Sequence, residues 1–262
     1  MRGQAGDRID MLGIVVDPLT MDESVEAAEQ LIRAGGTHQH VVVNAAKVVQ
    51  ASDDPELAAI IKGADLVNAD GMSVLWAGRF LGHSMPERVP GIDFMEALLA
   101  RAATSGYQVF FLGAREEVVT AVVEIEIGRH PGLVVAGYRN GYWRAEEEAG
   151  VVAQIAATRP AILLVAMSSP KKERFLSNHL EELGVPLVVG VGGSFDVVAG
   201  VTARAPMWMQ RTGLEWMYRL VQEPRRMFKR YLVGNSRFVV MVLFERWRFR
   251  RLEPKKDAEK PG

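Results

Sequence analysis

Short apolar runs rich in Val, Ile and Leu alternate along the chain with stretches of helical periodicity, and that alternation restricts the fold to βαβ units around a parallel sheet. The runs read as strands are Gly13 to Val16, Val41 to Val43, Leu66 to Ala69, Gln108 to Leu112, Leu133 to Gly137, Ile162 to Ala166 and Leu187 to Val191. The helices between them carry their own punctuation. Thr20 with Glu23 forms a capping box, and Gly35-Gly36 stops the helix that it starts. Asp54 before Pro55 is an N-cap followed by proline at the first helical position, and Gly63 ends that helix. The expected fold class is α/β, a mostly parallel sheet flanked by helices.

After the last of these runs the composition changes. Arg204 to Arg251 contains twelve Lys/Arg against three Asp/Glu, a net charge of +9 in a chain whose total is −1, so the remainder carries −10. Aromatic residues are spread through the same segment, and Arg246, Arg248, Arg250 and Arg251 surround Trp247 and Phe249. Cations with interleaved rings suit the surface of an anionic bilayer; the alternative is a charged helix pair packed on its own domain. Apolar runs such as Phe238 to Phe244 are far shorter than the roughly 20 residues needed to span a bilayer. The N-terminus lacks the apolar stretch of a signal peptide, and the 262 residues include no cysteine. These features lead to the expectation of a cytoplasmic protein, peripheral on the inner face of the plasma membrane. The expected organisation is an α/β domain over 1–203, a basic aromatic helical appendage over 204–251, broken by Pro224 and Gly234-Asn235 into about three pieces, and a disordered tail over 252–262.

Ligands of a parallel sheet bind at the carboxyl ends of its strands, so the chemistry is sought in the loops that follow them. Asp70 leaves the apolar run Leu66 to Ala69 and precedes Gly71, which makes it either a base at the rim of the sheet or the N-cap of the next helix. In Met167-Ser168-Ser169-Pro170-Lys171-Lys172-Glu173, two lysines in a first helical turn oppose the helix dipole. They fit a bound diphosphate, or else they are exposed lysines of small cost. Gly192 and Gly193, just before Asp196, leave room for close approach of a ligand to the backbone, although simple turn duty needs the same residues. His38 and His40 lack an accompanying carboxylate cluster and read as structural rather than metal-binding. Neither a dinucleotide fingerprint, a P-loop, nor a G-x-S-x-G elbow is present.

Taken in order, VVVNAAKVVQA, ADLVNADGMSVLW, ERVPGIDFMEAL, VFFLGA, PKKE, VGVGGSFDVVAG and RAPMWMQRTGLEWMYRLVQEPRRMFKRY resemble the WecG/TagA/CpsF family of bacterial glycosyltransferases. The resemblance covers nearly all of Met11 to Phe238. It implies a Rossmann-like fold of the GT-E type and an inverting, metal-independent transferase without a cofactor. Such enzymes move a hexose or N-acetylhexosamine from a UDP-sugar to an undecaprenyl-diphosphate-linked sugar, in teichoic acid, enterobacterial common antigen or capsular polysaccharide synthesis. Asp70 matches the family's general base and Asn44 an asparagine of its pocket. Arg88 and Asp93 lie in the R-x-x-G-x-D element on the sugars, and Arg211, Arg219 and Arg226 match arginines that fold over the pocket and meet diphosphate. Lys171, Lys172, Glu173, Gly192, Gly193 and Asp196 complete the expected substrate-binding set. The chain departs from the family at Val42, where a threonine is common, and at Lys172, where a glutamine is usual. Loss of a pocket hydroxyl leaves the donor open between N-acetylmannosamine and other hexoses.

The expected partners are thus a UDP-sugar donor, a polyprenyl-diphosphate-linked acceptor and an anionic membrane surface, with no nucleic acid and with a homo-oligomer left open. Two competing readings are a nucleotide-dependent oxidoreductase, for which the glycine fingerprint is missing, and a non-catalytic membrane-associated assembly partner that retains the fold.

Overall fold

The computed structural model describes residues 8–222 and 224–252, with the side chains of 211, 219, 224–233, 249, 250 and 252 outside that description. The expected roles of Arg211, Arg219 and Arg226 therefore fall on side chains that are not described.

The chain opens with a hairpin that the strand reading did not separate from the rest. β1 (Ile9–Met11) and β2 (Ile14–Val16) pair antiparallel, with Ile9 opposite Val16, as a two-stranded sheet of their own. Their two-residue turn has positive φ at both Leu12 (54°) and Gly13 (78°), the conformation that follows the twist of a tight hairpin. Gly13 to Val16 is thus not a member of the parallel sheet.

That sheet holds six strands: β3 (His38–Val43), β4 (Leu66–Ala69), β5 (Gln108–Gly113), β6 (Val134–Arg139), β7 (Ile162–Ala166) and β8 (Leu187–Gly190). Their order across the sheet is β4-β3-β8-β7-β5-β6, every pairing is parallel, and the fold is α/β and Rossmann-like. Helices α2 (Ala45–Asp53), α3 (Pro55–Gly63), α4 (Met72–Leu81), α5 (Gly91–Ser105), α6 (Glu116–Arg129), α7 (Glu148–Thr158) and α8 (Lys171–Leu183) lie in the crossovers, while α1 (Met21–Ala34) leads into β3 and the short α9 (Ser194–Val198) follows β8. The local stop and start signals operate as read. Thr20 and Glu23 close a capping box on α1, and Asp54 accepts a hydrogen bond from the Leu57 amide with Pro55 at the first turn of α3.

Alternation along each strand sends side chains to opposite faces, which is why these runs are apolar throughout. Val109 and Phe111 of β5 pack with α1, α5 and α6, whereas Phe110 and Leu112 pack with α7 and α8. A third apolar cluster joins the hairpin, β3, β4, α2, α3 and α4. It also takes in Phe238 and Val242 from the basic segment.

The basic segment forms α10 (Met207–Arg211), α11 (Glu215–Gln222) and α12 (Pro224–Leu252). Gly234-Asn235 does not interrupt α12. Glycine in a helix interior costs only about 1 kcal/mol, and burial of Phe238 and Val242 in the third cluster outweighs it. The segment is in three helices all the same, with the expected boundary at Pro224, where α12 starts, and the other at Gly213 (φ 73°), where a Cβ would lie 2.8 Å from Trp76 Cη2, so only glycine lets the chain turn this close to α4. α12 lies against α2 and α4, and Glu245 accepts the Leu12 amide with both carboxylate oxygens, at 2.9 and 3.0 Å. Among the described residues, no helix is long and apolar enough to cross a membrane.

Phe238→Ala should cost about 3–5 kcal/mol, as for a large side chain removed from a packed cluster. Urea unfolding of Phe238→Ala beside Val239→Ala checks it. The exposed Val239 position should leave the midpoint nearly unchanged.

Candidate functional site

The carboxyl edge of the sheet collects the loops that sequence singled out. Asn44 follows β3 and caps α2, accepting the Lys47 amide at 3.1 Å. Asp70 follows β4, and its own amide is held by Val43 O at 2.8 Å. It does not cap α4. The N-cap is Gly71, with no side-chain bond to the helix amides, and an Asp70 carboxylate oxygen lies 3.4 Å from the Gly91 amide at the start of α5. Between β4 and α5 the chain returns along the strand end, with the Val89 amide on Ala69 O, and so brings Arg88 beside Asp70.

These residues face a cavity of about 610 Å³. One side is polar, formed by Asn44, Asp70, Ser73, Arg88 and Glu215. The other is apolar, formed by Trp76 and Phe80 of α4 and by Phe238, Val239, Val242 and Leu243 of α12. Arg88 Nη1 reaches Glu215 Oε2 at 3.3 Å, tying the polar side to the start of α11. Asp93 is not on the wall. It is held by two bonds of 2.7 Å from the Arg204 guanidinium. The apolar side was invisible in the loop search because it is built from two helix faces far apart in sequence. Its only sequence signal was the aromatic content of both helices.

The lysine pair takes another arrangement than the one expected of an anion site. Lys172 turns inward, with its stem against Gly190, where a Cβ would fall 2.5 Å from Lys172 Cε. Its Nζ lies 3.0 Å from Glu173 Oε1, and the same oxygen takes Lys47 Nζ at 2.7 Å. All three side chains are buried. Lys171 is exposed and lies over the Trp143 ring, 5.1 Å from its centroid. Gly192 (φ 58°) and Gly193 form the turn into α9, and Asp196 stands in that helix's first turn. None of these residues lines the cavity.

Lys47 was not singled out in the sequence, although it follows Asn44 by three residues. Burial, with Lys172 beside it, draws its ammonium down to about 8 against the attraction of Glu173. Burial pushes the Glu173 carboxyl upward, but Lys47 and Lys172 together outweigh burial and hold it down at about 2. The triad joins the start of α2 to the start of α8, so it sets the spacing of two loops at the site edge. His40 is also accounted for. Burial takes it down to about 3, and its Nε2 meets Asn68 Oδ1 at 3.0 Å, while His38 Nδ1 lies 3.2 Å from Asp65.

Since Glu173 in the folded protein sits below its ordinary value of 4.5, the stabilisation it brings is complete above that pH and is lost as pH falls towards 2. Glu173→Gln should lower stability by about 3 kcal/mol at neutral pH, because it strands two buried ammonium groups. Unfolding curves between pH 6 and pH 2 check both points, and the variant should lose less of its stability over the acid window than the parent.

The sequence from residue 9 to residue 252 matches the model of the family described as Glycosyl transferase WecG/TagA/CpsF. A match over that span takes in both the sheet and the helices that wall the cavity. The chain belongs to the WecG/TagA/CpsF family of glycosyltransferases.

Proposed function

We propose that this glycosyltransferase moves a hexosyl or N-acetylhexosaminyl group from a UDP-sugar to a sugar carried on a polyprenyl diphosphate, with inversion, in cell-surface polysaccharide synthesis. The observation that carries the reading is the two-sided cavity. Its lining combines a carboxylate and a guanidinium, Asp70 and Arg88, with the large apolar side chains of α4 and α12, among which Asn235 is a polar exception. A water-soluble acceptor would gain little from those apolar side chains. An acceptor sugar joined through diphosphate to a long hydrocarbon chain uses both sides.

In this mechanism Asp70 takes the proton of the acceptor hydroxyl as that oxygen attacks the anomeric carbon. The bond from the anomeric carbon to the UDP oxygen breaks on the opposite face, and its electron pair leaves with UDP. Guanidinium groups rather than a metal ion meet the growing negative charge, with Arg88 on the wall and Arg211, Arg219 and Arg226 assigned to the same task by family likeness. Asn44 orients a sugar hydroxyl. Lys172 and Glu173, with Lys47, act from outside the cavity lining by fixing the start of α8, and Lys171 stays exposed over the Trp143 ring. Residues 204–251 serve as a closing and membrane-facing unit on an α/β body over 1–203. Arg246 over the Phe80 ring and Arg251 over the Trp247 ring set cations and aromatic rings beside the apolar wall. Each basic group near an anionic leaflet adds about 1 kcal/mol of membrane attraction.

UDP release, measured over a panel of UDP-sugars with a lipid-diphosphate-sugar acceptor, tests the activity. Asp70→Asn should lower turnover by about 10²-fold or more while UDP-sugar binding persists. Near-normal turnover in that variant would remove Asp70 from the chemistry, and no release with any donor would favour a non-catalytic assembly partner. Trp76→Ala and Leu243→Ser should raise KM for a long-chain acceptor about tenfold with little change for a short-chain one. Equal effects on both acceptors would mean that the apolar wall does not receive the hydrocarbon chain.

A further inference from the structure

Away from the cavity, α5 and α6 meet at a cluster to which the transferase reading assigns nothing. Glu126 on α6 and His130 at its C-terminal cap stand one turn apart, and Glu96 faces them from α5. Arg129 Nη1 holds one oxygen of each carboxylate, Glu96 Oε1 at 2.8 Å and Glu126 Oε1 at 3.0 Å. The other oxygens turn to the imidazole, with Glu96 Oε2 3.5 Å and Glu126 Oε2 3.3 Å from His130 Nε2.

These spacings are not hydrogen bonds. Glu126 is fully buried, and both its Oε2 and the buried His130 Nε2 lack a hydrogen-bond partner. Two orphaned polar atoms facing each other in the same place is an unfavourable arrangement for a simple ion network. The three donor atoms lie within 4.8 Å of one another. Around zinc, with bonds of about 2.0–2.2 Å, the edges of a coordination tetrahedron measure about 3.3–3.5 Å. The two distances to His130 fall on that edge length.

We propose that Glu96 Oε2, Glu126 Oε2 and His130 Nε2 form a site for a divalent transition-metal ion, with Zn²⁺ as the best fit, that staples α5 to α6. An imidazole among the donors favours such an ion over calcium or magnesium. Two carboxylates against one guanidinium leave the cluster negative, and Arg129 is the outer group that orients both carboxylates. Glu96 and His130 are partly exposed, which provides entry and leaves a fourth position for water. The staple acts one turn beyond Asp93, so it fixes the helix whose start abuts Asp70.

The test uses the untagged full chain, stripped with chelator and dialysed, then titrated with ZnSO₄ by calorimetry and followed by thermal unfolding. One Zn²⁺ should bind per chain, and at about 100 times Kd the melting temperature should rise by about 5 °C or more. His130→Gln and Glu96→Gln should each weaken binding by about tenfold or more. The Glu96 variant sits at a partly exposed position and keeps the test informative if a change at Glu126 prevents folding. His179, already bonded to Glu148, serves as the control, and His179→Gln should leave the affinity unaltered. Absence of saturable binding, parent-like affinity in both cluster variants, or loss of binding in the His179 variant would overturn the proposal.

Discussion

Phe238 and Val242, one turn apart on α12, enter the same apolar cluster as the hairpin, β3 and β4. With these two seated, the flanking Val239 and Leu243 become the second wall of the cavity. The wall that distinguishes this site from an open sheet edge therefore depends on a packing interaction rather than on a loop. Apolar burial of two side chains contributes several kcal/mol, on the order of 1.5–3 each, and that energy holds the cavity closed on one side. The polar wall is positioned separately, by the parallel sheet and the chain reversal from Ala69 to Gly91.

What the sequence disclosed and what it hid divide along the range of the interactions. Caps at Thr20 and Asp54 act within four residues, and both were legible, as were the apolar cores of the strands. The hairpin was not. Its turn places Leu12 in a left-handed conformation, which is stabilised by a carboxylate on α12. The continuity of α12 through Gly234-Asn235 was missed for a similar reason, because propensity reads the helix in isolation and the buried face overrides it. The lysine pair at the start of α8 is the clearest case. A dipole argument treats both residues as exposed, yet Lys172 is neutralised by Glu173 beneath the surface, with Lys47 brought in from another crossover.

Asp70 shows the opposite outcome. Two roles fitted its spacing, and local geometry bears on one of them, since Gly71 rather than Asp70 occupies the cap position of α4 and an Asp70 carboxylate oxygen lies near the α5 amide. Arg88 was assigned to the sugars by resemblance alone, and the return of the chain along the end of β4 puts it in the lining of the same cavity as Asp70. Asp93 belongs to the same stretch of sequence but is engaged by Arg204, one residue past the boundary read between body and appendage. That ion pair ties α5 to the segment that leads into α10, and on the proposed mechanism it would transmit a movement of that segment to α5.

The bond from the Leu12 amide to Glu245 spans 233 residues of sequence. During synthesis, at about 5–20 residues per second, the hairpin emerges well before its partner helix. All six strands of the parallel sheet, with Asn44, Asp70, Arg88 and the α4 residues Trp76 and Phe80, are then made before the α12 part of the apolar side. Until α12 is made, the cavity lacks the side formed by Phe238, Val239, Val242 and Leu243, and the hairpin lacks the carboxylate that holds its turn. Order of synthesis, in this arrangement, completes the hairpin and the cavity together.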